Sequence, residues 1–300
     1  MEILLQVLLL VVGFVLLIKG ADFFVDGSGS IARKLQIPDI IVGLTIVAMG
    51  TSAPELAVSV SAALGGSTEI AMGNVVGSNI LNILIILGVS ALIVPLAVDK
   101  SMFKRDFPIL LLTAVLLPAM ALLFGDKVGL IAGIIFLVIF VFYIFLAVRA
   151  AIAYRKSGAG DGESKIKVLP WWQSILYTIG GAVVIVFGGN MSVEAAKKIA
   201  SACGISEVII GLTVVALGNI IGSNIFNILF ILGTTAVIHE VPVPVGGYVD
   251  MLFLLGITVL LFIICVATKK INRIAGGTFV ALYVAYATYL FLSMPAQPVA

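Results

Sequence analysis

Apolar residues run along this chain in long blocks, not in the two-residue alternation of strands or the single stripe of a soluble helix. The blocks fall at about 3 to 24, 39 to 64, 70 to 96, 107 to 124, 128 to 148, 171 to 191, 206 to 238, 248 to 267 and 274 to 294, separated by Gly, Pro or charge. Runs such as Leu4 to Ile18 and Ile109 to Phe124 are apolar on every side, as a helix in lipid requires. They exclude an outer-membrane barrel, whose strands alternate over segments of roughly ten residues. The first and sixth blocks continue into amphipathic tails, Asp22 to Lys34 and Asn190 to Ser201, which predicts two long, tilted helices.

Composition narrows the class. The chain is 62% hydrophobic and 11% charged, whereas a soluble domain is about half apolar and about a quarter charged. At about 20 apolar residues per span, 300 residues allow roughly ten spans and leave no water-soluble domain. A soluble enzyme is therefore excluded, and a net charge of +2 gives no reason to expect nucleic acid. Cys203 and Cys265 offer neither a disulfide framework nor metal-ligand spacing. No P-loop, Ser/His/Asp set or haem motif is present, so no cofactor is expected. The stretch Ile3 to Ile18 follows only Glu2, with no basic residue before it, and reads as a first span and not as a cleaved leader.

The chain repeats itself. Gly43-Leu-Thr-Ile-Val-Ala-Met-Gly50 matches Gly211-Leu-Thr-Val-Val-Ala-Leu-Gly218 at an offset of 168. Gly73-Asn-Val-Val-Gly-Ser-Asn-Ile-Leu-Asn-Ile-Leu84 matches Gly218-Asn-Ile-Ile-Gly-Ser-Asn-Ile-Phe-Asn-Ile-Leu229 at an offset of 145. The register slips by 23, so the second copy lacks the stretch equivalent to Thr51 through Gly73, and Gly218 joins directly to Asn219. An odd number of spans, five, separates the starts of the two copies, which places them upside down relative to each other, the architecture of secondary transporters. The expected layout is a first repeat over 1–150, a cytoplasmic linker over 151–170 that contains the Gly158 to Glu163 stretch, and a second repeat over 171–300.

Charge adds a constraint on the 33-residue block at 206 to 238. With the N-terminus outside, the inside loops collect Arg33, Lys34, Lys100, Lys104, Arg105, the 149–170 loop, Lys269, Lys270 and Arg273, and the outside keeps only Lys127, Lys197 and Lys198, as the positive-inside rule asks. That assignment holds only if block 206 to 238 begins and ends on one side. A single helix there would measure roughly 50 Å against a ~30 Å core. The block is therefore expected to be a re-entrant hairpin, the seventh and eighth helices of the plan shortened to meet near Gly218-Asn219, and viable if buried in protein. Both termini are then outside, in a multi-pass plasma-membrane protein.

Of fifteen carboxylates, fourteen lie near block ends or in connections; Glu55 alone lies in the middle of an apolar helix. An ionised carboxylate there costs at least ~2.5 kcal/mol, so it needs a proton, a basic partner or a cation, and no Lys or Arg is expected at that depth. Pro54 frees the carbonyl of Gly50, so the helix is expected to break at Gly50-Thr51-Ser52-Ala53-Pro54-Glu55 and to expose oxygens suited to a hard cation such as Ca²⁺ or Na⁺. Ser78 and Asn82 share a helix face, as do Ser223 and Asn227; small and amide residues at such positions also serve helix packing. His239, Glu240, Asp22, Asp26, Asn190 and Glu194 read as interfacial or solvated residues, and Trp171 and Trp172 as an interfacial anchor.

The paired blocks, with Gly50-Thr-Ser-Ala-Pro-Glu55, resemble the α-repeats of the calcium/cation antiporters, prokaryotic sodium/calcium exchanger branch, over nearly the whole chain. The resemblance implies an all-α bundle of two inverted five-helix repeats that exchanges Na⁺ for Ca²⁺ as the long first and sixth helices slide over a fixed core. It places cation ligands on Thr51, Ser52, Glu55, Ser78 and Asn82 in the first copy and on Ser223 and Asn227 in the second, with backbone carbonyl ligands at Ala48 and Ala216. The chain departs from the family where the gap removes a second Thr-Ser-x-Pro-Glu, and again where Asn227 stands at a position that is often Asp. Two further readings stand beside Na⁺-driven Ca²⁺ extrusion: Ca²⁺/H⁺ exchange with Glu55 carrying the proton, and a truncated paralogue that keeps the fold without coupled transport.

Overall fold

A computed structural model describes residues 2–35, 52–66, 68–98, 100–156, 168–203 and 217–293. Helix α1 (Glu2–Lys34) is followed by α2 (Ala53–Leu64), α3 (Glu69–Ile93), strand β1 (Leu96–Ala97), a short helical turn Lys100–Lys104, α4 (Asp106–Leu123), β2 (Lys127–Val128) and α5 (Leu130–Lys156). The second half runs through α6 (Trp171–Cys203), α7 (217–238), β3 (Val241–Pro242), α8 (Gly247–Thr268), β4 (Lys270–Ile271) and α9 (Arg273–Ser293). Among the described residues, six helices are long and apolar enough to cross a membrane: α3, α4, α5, α7, α8 and α9. The amphipathic tails predicted on the first and sixth blocks are continuous with their helices, so α1 and α6 are each 33 residues long.

The two copies fold alike and interlock. β1 pairs antiparallel with β4, and β2 with β3, so each copy lends a strand to the other at each end of the bundle. Lys269 lies over the Phe103 ring at 4.6 Å, and Arg273 Nη2 donates to the Ile93 carbonyl at 3.4 Å. The basic 268–273 turn therefore shares an end with Lys100, Lys104 and Arg105, as the charge argument required. Tyr143 donates to Asp106 at 3.2 Å in the first copy, and Tyr286 to Asp250 at 2.7 Å in the second. Asp106 also takes a two-pronged ion pair from Arg105 at 2.7 and 3.0 Å.

Close packing follows the same symmetry. α3 packs against α9 and α7 against α5, and both contacts rest on glycine facing glycine. A Cβ on Gly276 would stand 2.6 Å from the Gly88 carbonyl, and one on Gly133 would stand 2.8 Å from the Gly233 carbonyl. In lipid, where water does not drive helices together, such backbone contact is a main source of association. α1 and α6 form a layer of their own: among the described residues, α6 is the helix on which α1 packs extensively. They run antiparallel, with Ser30 and Lys34 of α1 bonded to Ser174 near the start of α6 at 2.9 and 3.2 Å.

The expected hairpin is described in its second limb. α7 begins at Leu217, directly before Gly218-Asn219, and ends at Ile238, the position equivalent to the end of α3. Leu217 is equivalent to Met72, whereas α3 begins three residues earlier, at Glu69, so α7 as described starts short at the junction. The preceding limb, 204–216, lies outside the described residues.

Candidate cation site

Helix α2 begins at Ala53, after Ser52 in a turn. Pro54 falls in its first turn, where a missing N–H removes no helical bond; the break was expected at 50–55, and of that stretch residues 50 and 51 lie outside the described residues. The same start places Glu55 in the first turn, at the positive end of the helix dipole, which favours a carboxylate. Asn74 of α3 fixes this end: its Nδ2 donates to the Glu55 carbonyl at 3.1 Å and to the Ser59 hydroxyl at 3.0 Å. Ser52 and Ser59 are buried, and α2 packs against α3, α6 and the segment of α7 that starts at Asn227. Glu55 is thereby carried on a short helix wedged between the two copies.

The centre of the molecule is a ring of amides where α3 meets α7. Asn79 Nδ2 donates to the Asn224 carbonyl at 3.1 Å, and Asn224 Nδ2 donates to the Asn79 carbonyl at 3.2 Å. Asn82 Nδ2 donates to Asn224 Oδ1, and Asn227 Nδ2 to Asn79 Oδ1, each at 2.9 Å. Asn79 and Asn224 occupy equivalent places in the repeat, as do Asn82 and Asn227, so the ring has two-fold symmetry. Asn79, Asn224 and Asn227 are fully or almost fully buried.

At Asn82 and again at Asn227 the helix widens into a π-turn, Asn82–Ile86 and Asn227–Leu232; such turns gather at functional sites. Ser78 donates its hydroxyl proton to the Asn74 carbonyl one turn back, which leaves its lone pairs available, and Ser223 is buried at the equivalent position.

Among the described residues, two buried side-chain polar atoms have no hydrogen-bond partner: Glu55 Oε2 and Asn227 Oδ1. Both are acceptors, one from each copy, on elements that touch. A buried acceptor left unpaired costs about 1–3 kcal/mol, which a cation would relieve. No cluster of three His, Cys, Asp or Glu occurs among the described residues, so the donors are one carboxylate, amides and hydroxyls, a set that fits a hard cation.

The structure thus brings Glu55, Ser52, Ser78, Asn82, Ser223 and Asn227 onto three adjoining elements, while Thr51, Ala48 and Ala216 lie outside the described residues. Sequence reasoning passed over Asn74, Ser59, Asn79 and Asn224. The signal for the two central asparagines was present, since both belong to the repeated Gly-Ser-Asn blocks. His239 is exposed, with its Nδ1 3.1 Å from the Glu240 carbonyl, and Glu240 pairs with Lys127 at 2.8 Å, so neither belongs to the site. Asp22 is exposed beside Lys19, Trp171 and Trp172 are exposed, and the side chains of Asn190 and Glu194 lie outside the described residues.

A profile described as sodium/calcium exchanger protein matches residues 5–149, 173–221 and 215–292. The first copy is matched in one piece. The second is matched in two pieces, which overlap over 215–221, across the Gly218-Asn219 junction. CaxA of Alkalimonas amylolytica is 36% identical, with 94% of this chain and 97% of that protein covered. The sodium/calcium exchanger MaX1 of Methanosarcina acetivorans is 30% identical over 95% of this chain and 98% of its own. That alignment spans 342 positions, longer than the chain itself, so this chain carries gaps against it. A solved structure of the sodium-calcium exchanger NCX_Mj, soaked with Na⁺ and Sr²⁺, superposes with a TM-score of 0.69 at 30% identity, covering 95% of this chain and 98% of that one.

Proposed function

The chain belongs to the sodium/calcium exchanger family of membrane antiporters, and from that premise we propose that it extrudes Ca²⁺ in exchange for Na⁺ entry. The observation that carries this reading is the pair of unpartnered buried oxygens, Glu55 Oε2 and Asn227 Oδ1, contributed by the two inverted copies. In this reading Glu55 supplies the formal charge, and the oxygens of Ser52, Ser78, Asn82, Ser223 and Asn227 supply neutral coordination. Thr51 and the carbonyls of Ala48 and Ala216 complete the set. The layer formed by α1 and α6, largely separate from the core, supplies the moving element of alternating access. The end that carries Lys100, Lys104, Arg105, Lys269, Lys270 and Arg273 faces the cytoplasm, with both termini outside the plasma membrane.

The test is ⁴⁵Ca²⁺ uptake into proteoliposomes with and without an outward Na⁺ gradient. The wild type takes up Ca²⁺ when the gradient is present, and Glu55→Gln abolishes that uptake; undiminished flux in the variant overturns the site assignment.

Two observations keep a second and a third reading in view. A single buried carboxylate with no basic partner among the described residues is also what a proton carrier needs, and flux that follows a pH gradient and ignores Na⁺ would replace Na⁺ by H⁺ as the coupling ion. The split of the family match in the second copy, with its two pieces overlapping over 215–221, supports a chain that has lost a coordinating segment. Wild-type protein that moves no Ca²⁺ under either gradient would identify it as a paralogue that keeps the fold without transport.

A further inference from the structure

The amide ring has a property that the ligand assignment does not use: its hydrogen-bond pattern has one solution. A backbone carbonyl can only accept, so the edge of Asn79 facing the Asn224 carbonyl at 3.1 Å must be its NH₂, and the same holds for Asn224 facing the Asn79 carbonyl at 3.2 Å. With both NH₂ groups so engaged, the opposite edges of Asn79 and Asn224 present Oδ1. An oxygen there can be met only by a donor, so Asn227 and Asn82 must turn their NH₂ groups inward, each at 2.9 Å. The oxygens of Asn82 and Asn227 are thereby forced outward from the ring, and Asn227 Oδ1 is indeed buried with no partner.

We infer that Asn79 and Asn224 are positioning residues that lock the amide orientation of Asn227 and Asn82, so that each copy presents a carbonyl oxygen, never an NH₂, to the cation. The inference rests on the cation-site reading above and names a role for two residues that touch no ion. The lock matters because an amide turned over would point two N–H donors at a positive charge. Each copy sets the other's ligand: Asn79 orients Asn227, and Asn224 orients Asn82.

A carboxylate has oxygen on both edges and needs no orientation, which separates this role from simple packing. Equilibrium binding of ⁴⁵Ca²⁺ to the purified, detergent-solubilised full chain is measured for Asn79→Ala in the wild-type background and in the Asn227→Asp background. Asn79→Ala is expected to weaken binding about tenfold when residue 227 is Asn, and less than about twofold when it is Asp. Equal losses in the two backgrounds overturn the lock and leave Asn79 as a packing residue. If Asn79→Ala yields no folded protein, the mirror pair decides: Asn224→Ala, measured with Asn82 and with Asn82→Asp, gives the same masking if the lock exists and equal losses if it does not. Absence of ⁴⁵Ca²⁺ binding by the wild type, by contrast, overturns the Ca²⁺-site reading and the lock with it.

Discussion

The two copies meet the centre of the molecule with the same helix and different equipment. The first brings α3 with Ser78 and Asn82, and beside it α2 with Glu55, held by Asn74. The second brings α7 with Ser223 and Asn227 in the same π-widened geometry, but its chain has no residues equivalent to α2. Symmetric positioning therefore surrounds an asymmetric charge. The amide ring draws on both copies and is complete, whereas the site's buried carboxylate comes from the first copy alone. What ties the two copies together and what would set the electrostatics of the proposed cation site are thus carried by separable parts of the repeat.

Restoring the missing segment breaks that difference most directly. Copying Thr51 to Gly73 between Gly218 and Asn219 gives the second copy its own equivalent of Glu55. A second charge opposite Ca²⁺ in a low-dielectric site is expected to raise Ca²⁺ affinity about 100-fold or more, read as the ⁴⁵Ca²⁺ concentration for half-maximal uptake. No gain over the parent would show that the second carboxylate is dispensable.

A smaller step is Asn227→Asp, which adds charge to the second copy without adding a helix. It is expected to shift preference toward Ca²⁺ over Na⁺ by about tenfold, measured as Na⁺ inhibition of ⁴⁵Ca²⁺ binding. An unchanged ratio would place residue 227 away from the ion.

Asn74→Leu attacks what only the first copy has, the tie from α3 to the start of α2. Loss of the two bonds is expected to cost about 1–3 kcal/mol, seen as a lower melting temperature in detergent, and to raise the Ca²⁺ KM several-fold. A variant that melts early with an unchanged KM would separate Glu55 from its tether.

The mildest change falls on what both copies share. In Gly276→Ala the new Cβ meets the Gly88 carbonyl at 2.6 Å, and the α3–α9 contact must open. An overpacking cost of about 1–3 kcal/mol should lower the melting temperature and leave cation preference as it was. A changed preference would mean that this contact reaches the site.

Much of this was legible in the sequence because duplication writes the same words twice. The repeated blocks exposed the two copies and the missing segment, and i, i+4 spacing put Ser78 with Asn82 and Ser223 with Asn227. Glu55 was found by depth alone. The amide ring was not legible, because its four bonds all cross between copies, and nothing along one helix says which residue of another it will meet. The π-turns were missed for a local reason: Asn-Ile-Leu reads as an ordinary helix. The meeting of two half-helices at Gly218-Asn219 was read from the slip in repeat register, and α7 begins beside it at Leu217; the limb over 204–216 lies outside the described residues.

The two hairpin turns at opposite ends of the bundle deserve a last comparison. Asp126 and Lys269 occupy equivalent positions and share a left-handed backbone, with φ of 60° and 54°. Their charges are opposite. The next residue is Lys in both, but Lys127 is neutralised by Glu240, and the position equivalent to Glu240 is Pro95. Identical bends with unlike charge make the two ends of the bundle electrostatically unequal, the kind of asymmetry that the positive-inside rule reads when a membrane protein is inserted.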